Sequence, residues 1–261
     1  MRDLAAQTLL PVNATLGVAL LVLLLAAAGA AAVFRLSPDG SYGRAREILV
    51  AGARAAVQLG VVSLLIGWVI QHVVALFAFL LLMIAVATRT AGRRMTANGT
   101  WWWAVLPVAG PVVPVVAGLA LAGLLPVNGI AMIPVTGILI GGALTATVLG
   151  GRRALDELHS RKGEFEAGLA LGLPAKDARL EVIRPAASDA LLPGLDQTRT
   201  VGLVTLPGAF VGMLLGGASP VMAGAVQLFV LFALLAIQAL AVALTVELVA
   251  TNHLNRTGPT N

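Results

Sequence analysis

Glu166-Ala167-Gly168-Leu169-Ala170-Leu171-Gly172, then nine residues, then Val182-Ile183-Arg184-Pro185, is the stretch on which the architecture turns. It lies in the one long polar interruption of an otherwise apolar chain. Leu158, Phe165, Leu169 and Leu173 are spaced to line one face of a helix. Gly172 stops that helix, and Pro174 cannot lie deep inside it. A second short helix is expected to carry Ala178, Val182 and Ile183 as far as Pro185. The stretch therefore reads as a polar helix-break-helix between membrane spans, with a small-residue surface that another protein can approach closely.

The composition outside the stretch sets the class. Of 261 residues, 59% are hydrophobic and 11% charged, and mean hydropathy is +0.95. No soluble domain of this length needs so much apolar surface, so the chain is read as an all-α, polytopic integral membrane protein. No polar stretch is long enough to enclose a second core, and residues 1–261 are read as a single transmembrane domain. Cysteine is absent, which excludes disulfides and thiolate metal or redox sites. The net charge of +5 has no basic soluble face to sit on, so it reflects anchoring of loops beside a membrane and not nucleic-acid binding.

A hydrocarbon core of roughly 30 Å needs about 20 apolar helical residues. Seven spans are expected, at about Asn13–Phe34, Ile48–Ile70, Val73–Thr88, Trp101–Leu125, Ile130–Leu149, Thr200–Leu215 and Val221–Val249. The first is too long for a signal-peptide core and lacks a basic leader, so it is read as retained. Pro38-Asp39-Gly40 makes a turn, Trp101, Trp102 and Trp103 anchor an interface, and Pro107, Pro111 and Pro114 are expected to break the fourth span. Residues 150–196 form the polar loop, and the tail Thr251–Asn261 is expected to be disordered. Arginines follow spans one, three, five and seven. The positive-inside rule then places the N-terminus outside and the C-terminus, with Glu166–Pro185, in the cytoplasm.

A few polar residues lie within the spans. Arg54 sits in the second span, where an Arg at a helix centre costs about 2.5–3.5 kcal/mol on insertion scales. Gln58 is four residues on and shares its face. Together with Gln227 in the last span, these are the candidates for a translocation path. The competing reading is an arginine snorkelling to the interface with Gln58 bonded to a neighbouring helix. Glu247 reads as interfacial. Gly137, Gly141 and Gly142 after Ile133-Pro134, and Gly212, Gly216 and Gly217 after Leu206-Pro207-Gly208, read first as helix-packing positions. Met132, Met213 and Met222 read as apolar filler before metal ligands. His72, His159 and His253 are isolated, so a metal site has no assignable residues. The sequence carries no Walker A motif, and no nucleophile–base pair or paired carboxylates lie within the membrane.

The spacing of Glu166, Ala167, Gly172, Val182 and Pro185 resembles the EAA loop of ABC-transporter permeases. Gly168 stands where that pattern has a second Ala, Val182 where it has Ile, and Arg184 where it has Leu. The resemblance implies a coupling helix that docks into a cytoplasmic ATPase. Over about Ala45–Leu248 the chain further resembles the Fet-type iron-export permeases, which are related to plant aluminium-tolerance permeases. The residues that carry this are Arg54-Ala55-Ala56-Val57-Gln58-Leu59, Ile133-Pro134 with Gly137 and Gly141, Asp156-Glu157-Leu158, and Leu206-Pro207-Gly208 through Ser219-Pro220 with Gln227. The departures are Ala209-Phe210 where Met-Met is expected, Gly212-Met213 where Gly-Gln is expected, and Gly141-Gly142 where Gly-Asn is expected.

What the resemblance implies is a non-catalytic permease subunit in a bacterial inner membrane. Two such chains would pair with two ATPase chains, with ATP and Mg bound on the partner and no cofactor here. The cargo would be iron or another metal ion, moving outward. A permease for a nucleotide sugar or lipid, and an ATPase-independent carrier or scaffold, are the competing readings.

Overall fold

The computed structural model describes residues 13–37 and 42–256. The turn expected at 38–40 and the tail beyond Arg256 lie outside the described residues. Contacts divide the chain into two compact units, Met1–Trp68 and Val69–Asn261. Six helices among the described residues are long and apolar enough to cross a membrane.

The first unit contains α1 (Ala14–Val33) and most of α2 (Gly43–Val69). Asn13 caps α1 by accepting from the Leu16 N–H at 3.0 Å. The two helices approach closely at Gly52, where an added Cβ would stand 2.6 Å from Cδ1 of Leu24. Val57, Leu59 and Leu64 of α2 are all exposed. Large apolar side chains exposed along a helix of 27 residues suit contact with lipid, with Arg54 and Gln58 as polar exceptions on the same helix.

The second unit is built on α3 (Val73–Met95), α4 (Val105–Leu121), α5 (Gly129–Ser160) and α10 (Pro220–Ala250). Leu76, Val108, Val112, Leu139, Ile237 and Val249 form its buried centre. Ala143, Ala146, Thr147, Ala241 and Thr245 are also fully buried, and these small side chains let α5 and α10 pack closely. Asn128 caps α5 by accepting from the Ala131 N–H at 2.9 Å. Ser219 caps α10, with Pro220 at its first position.

Four expectations are corrected here. The prolines do not break the fourth span: α4 is continuous with Pro111 and Pro114 inside it. Each proline removes one donor, a loss that transmembrane helices tolerate because neighbouring helices and local adjustment satisfy the freed backbone groups. The polar loop does not begin at Gly150, because α5 continues to Ser160 without interruption. At 1.5 Å per residue its 32 residues extend about 48 Å, so its last turns project beyond a core of roughly 30 Å. Leu158 thus belongs to α5 and not to the helix of Phe165. The tail is tied down as far as Arg256: Leu254 is buried, and the Asn255 carbonyl accepts from Thr96 Oγ1 at 2.7 Å and from Asn98 Nδ2 at 2.9 Å.

The largest correction concerns Thr200–Leu215, which is not one helix. Here α8 (Leu192–Thr200) ends, residues 201–207 are non-helical, and α9 (Gly208–Leu215) has only eight residues, about 12 Å. The return path alongside α10 is instead a series of pieces starting at α7 (Ala175–Ser188). Arg179 of α7 donates to the Ala250 carbonyl at 2.9 Å. Ala190 and Val242 both lie against Gly150. Gly194 of α8 abuts Gln238. Val201, Pro207 and Phe210 then share a hollow with Gly224, Gln227 and Leu231. Residues 179, 190, 194 and 210 thus meet α10 progressively nearer its start, antiparallel to it.

Candidate coupling surface and translocation path

The Glu166 stretch forms an elbow. α6 (Lys162–Ala170) carries Glu166 and Ala167, both exposed, and Glu166 pairs with Lys162 at 3.5 Å. Gly172 adopts φ +87°, a left-handed conformation that a Cβ resists, and this reverses the chain into α7. Gly168 explains one departure from the EAA pattern. An added Cβ there would stand 3.1 Å from the Cβ of Ala178 and 3.5 Å from Cδ1 of Leu173, so α6 and α7 are nearly in backbone contact.

The elbow is fastened to the bundle. The Arg179 guanidinium lies over the Phe165 ring at 5.4 Å while bonding the end of α10, so one side chain ties α6, α7 and α10 together. Lys176 pairs with Glu247 of α10, and Arg153 of α5 pairs with Asp189. Between α5 and α6, Arg161 bonds Glu164 through Nε at 2.7 Å and Glu157 through Nη1 at 3.3 Å. The hydrogen bond from Arg161 holds the Glu164 carboxyl below its usual range. That with Glu164 raises the guanidinium further above its own.

The five residues expected to dock a partner do not share one role. Glu166, Ala167 and Gly172 are exposed on the elbow, and Pro185 is exposed inside α7, which continues past it to Ser188. Val182 is 3% exposed. It is part of the core with Ile183 and anchors α7, so it is not presented to another protein. Arg179, Lys176 and Gly168 were missed. Arg179 meets its acceptor 71 residues away, and no local spacing signals a bond of that range.

Arg54 and Gln58 lie in the first unit, exposed on α2 one turn apart. Gln227 lies in the second unit. It is 5% exposed, and its Oε1 is buried without a hydrogen-bond partner. It borders a hollow of about 270 Å³ lined by Gly202, Leu206, Pro207, Phe210 and Leu231, where the return path is non-helical. Gln238, another polar group of the last span, is half-buried, and its Oε1 is likewise buried without a partner. Among the described residues, no three His, Asp or Glu side chains cluster to hold a metal ion. His253 packs edge-on to Trp103 at 4.6 Å.

A family model described as "Uncharacterised protein family (UPF0014)" matches residues 15–254. The UPF0014 membrane protein STAR2 of Oryza sativa subsp. japonica is 33% identical over 234 residues, covering 88% of this chain and 78% of that protein. Protein ALUMINUM SENSITIVE 3 of Arabidopsis thaliana is 32% identical over 189 residues, 71% of this chain and 69% of that one. The probable iron export permease protein FetB of Escherichia coli (strain K12) is 28% identical over 197 residues, 73% and 74% of the two chains. The resemblance to iron-export and plant aluminium-tolerance permeases therefore holds over most of the chain. No solved structure matches.

Proposed function

The chain belongs to the UPF0014 membrane protein family, and from that premise we propose that it is the permease subunit of an ATP-driven transporter moving iron or another metal ion outward. The observation that carries the reading is the elbow: Glu166 and Ala167 stand exposed on a short helix braced against α10 through Phe165 and Arg179. A push on such a helix reaches the membrane-spanning bundle without being absorbed by a slack loop.

In this reading the arginine-rich ends of α3, α5 and α10 face the cytoplasm of a bacterial cell, and the N-terminus lies outside. A separate ATPase chain binds ATP and Mg and docks on Glu166, Ala167 and Gly172. The present subunit is non-catalytic and needs no cofactor of its own. Two copies assemble with two ATPases. Arg54 and Gln58, exposed on α2 within the first unit, are weaker candidates for the path, since intramembrane ionisable groups face a bundle interior or an aqueous cavity. Gln227 lines the path where the return segment is broken, because non-helical backbone at membrane depth is tolerated only where it is buried in protein or lines a cavity.

The test is total iron in iron-loaded cells expressing the chain with its ATPase, beside Glu166→Ala and empty-vector controls. Iron lowered only by the intact chain supports outward transport coupled through Glu166. Equal iron in all three, with the complex shown to be assembled, removes the metal assignment. A second cargo reading has its own support: the hollow beside Gln227 is apolar apart from one amide, which suits a less charged cargo such as a lipid.

A further inference from the structure

At the arginine-rich end of the second unit, the last turn of α3, the projecting part of α5 and the residues after α10 border an open hollow of about 520 Å³. Arg93, Arg94, Arg152 and Arg256 line it with a single carboxylate, Asp156. Two of the arginines are engaged. Arg256 donates to Asp156 and, through Nε, to the Met95 carbonyl at 3.1 Å. Arg93 donates to the Ala97 carbonyl at 3.0 Å and lies over the Trp101 ring at 5.1 Å. Arg94 and Arg152 have no hydrogen bond or ion pair with any described residue. Guanidiniums gathered in one concavity repel each other until an anion enters, and their planar forks match phosphate oxygens in pairs.

The depth of the hollow identifies the source of that anion. Arg93 lies twenty residues along α3 from Val73, about 30 Å at 1.5 Å per residue, which is one hydrocarbon thickness. Trp102, nine residues further on and next to the Trp101 that Arg93 covers, is half exposed and stacked on Trp103 at 4.3 Å, as expected at the headgroup level. Leu82 and Val86 are exposed on α3, eleven and seven residues before Arg93, and so lie on its face of the helix. An apolar stripe running from a basic hollow into the bilayer suits a molecule with acyl chains below a phosphate.

We propose that this hollow binds the phosphate of an anionic membrane lipid, with Arg94 and Arg152 as its free donors. Arg93 and Arg256 shape the walls and add charge. The site is independent of the cargo and of the ATPase.

The test uses the purified full chain in neutral detergent, with retained lipid counted by native mass spectrometry after incubation with phosphatidylglycerol and phosphatidylcholine together. The wild type is expected to retain phosphatidylglycerol about fivefold or more in preference, and Arg94→Gln/Arg152→Gln to lose most of that preference. Arg94→Lys/Arg152→Lys keeps the charge without the fork and should fall between them. Arg35→Gln/Arg46→Gln removes equal charge elsewhere and should leave the preference unchanged. Melting temperature in the same detergent confirms that each variant is folded. Equal preference in the wild type and the Arg94/Arg152 glutamine variant overturns the proposal. So does displacement of the lipid by an equal concentration of inorganic phosphate, which would mark a free-anion site. Loss of ATPase co-purification with lipid retention intact would mark the hollow as a protein contact and overturn it as well.

Discussion

Gly168→Ala separates the braced elbow from an ordinary amphipathic loop. Two opposing effects set its size. Alanine is favoured over glycine inside a helix by about 1 kcal/mol, which acts for α6. The new methyl would stand 3.1 Å from the Ala178 Cβ, well inside the usual carbon–carbon separation, and overpacking of that kind costs about 1–3 kcal/mol. The net effect on α6 docking is about 0–2 kcal/mol of loss. In an Ala178→Gly background the clash disappears and the propensity remains, so the same substitution should gain about 1 kcal/mol. The two backgrounds therefore differ by about 1–3 kcal/mol, roughly five- to 150-fold in the opening equilibrium of α6. Hydrogen exchange of the α6 amides in detergent reads that equilibrium directly. If Gly168→Ala changes α6 protection equally in both backgrounds, α6 and α7 are not in the contact described, and the elbow is not braced.

Three further outcomes are expected. Gln227→Met removes a buried amide oxygen that has no partner, so melting temperature should hold or rise while cargo efflux falls; efflux at the wild-type level would take Gln227 off the path. Asn255→Ala removes the bond from Asn98 at 2.8 Å and the bond to the Asn252 carbonyl at 2.9 Å, a loss of about 1–2 kcal/mol that should appear as faster proteolysis near residue 255. Arg161 holds the Glu164 carboxyl below its usual range, so the pairing is complete at neutral pH and is lost as pH falls below about 4.5 towards the depressed value. Exchange in α6, corrected for its intrinsic rate, should accelerate over that acid range in the wild type and not in Glu164→Gln.

The long spans are legible because each is a local property. A window of 18 residues of high mean hydropathy with few charges identifies α1, α2, α3 and α10 whatever they pack against. What local reading misses depends on distant partners. Gly150-Gly151-Arg152-Arg153 reads as the end of a span, yet Gly150 lies against Val242 and Gly151 against Met95, so these glycines are packing positions inside a continuous helix. The return path is hidden for a related reason. α7 has five charged residues and reads as a short helix of the polar loop, ending at Pro185, with Ala178, Val182 and Ile183 on it. That it continues to Ser188 and also buries Leu180 and Ala187 in the bundle depends on partners far away in the sequence. The elbow is half legible: Glu166 and Gly172 stand where the spacing puts them, but the brace on Arg179 joins residues 71 positions apart.

The knot between Thr96, Asn98 and Asn255 also bears on when the protein can finish folding. Asn255 is synthesised 159 residues after Thr96, an interval of roughly 8–32 s at about 5–20 residues per second. Throughout it the corner after α3 lacks the carbonyl that accepts from both Thr96 and Asn98, and Met95 lacks the arginine that donates to its own carbonyl. The corner is encoded early and closed late. A ribosome that stalls before residue 255 would leave every long helix already made but this end of the bundle unlatched, a state that quality-control proteases can distinguish from the finished chain.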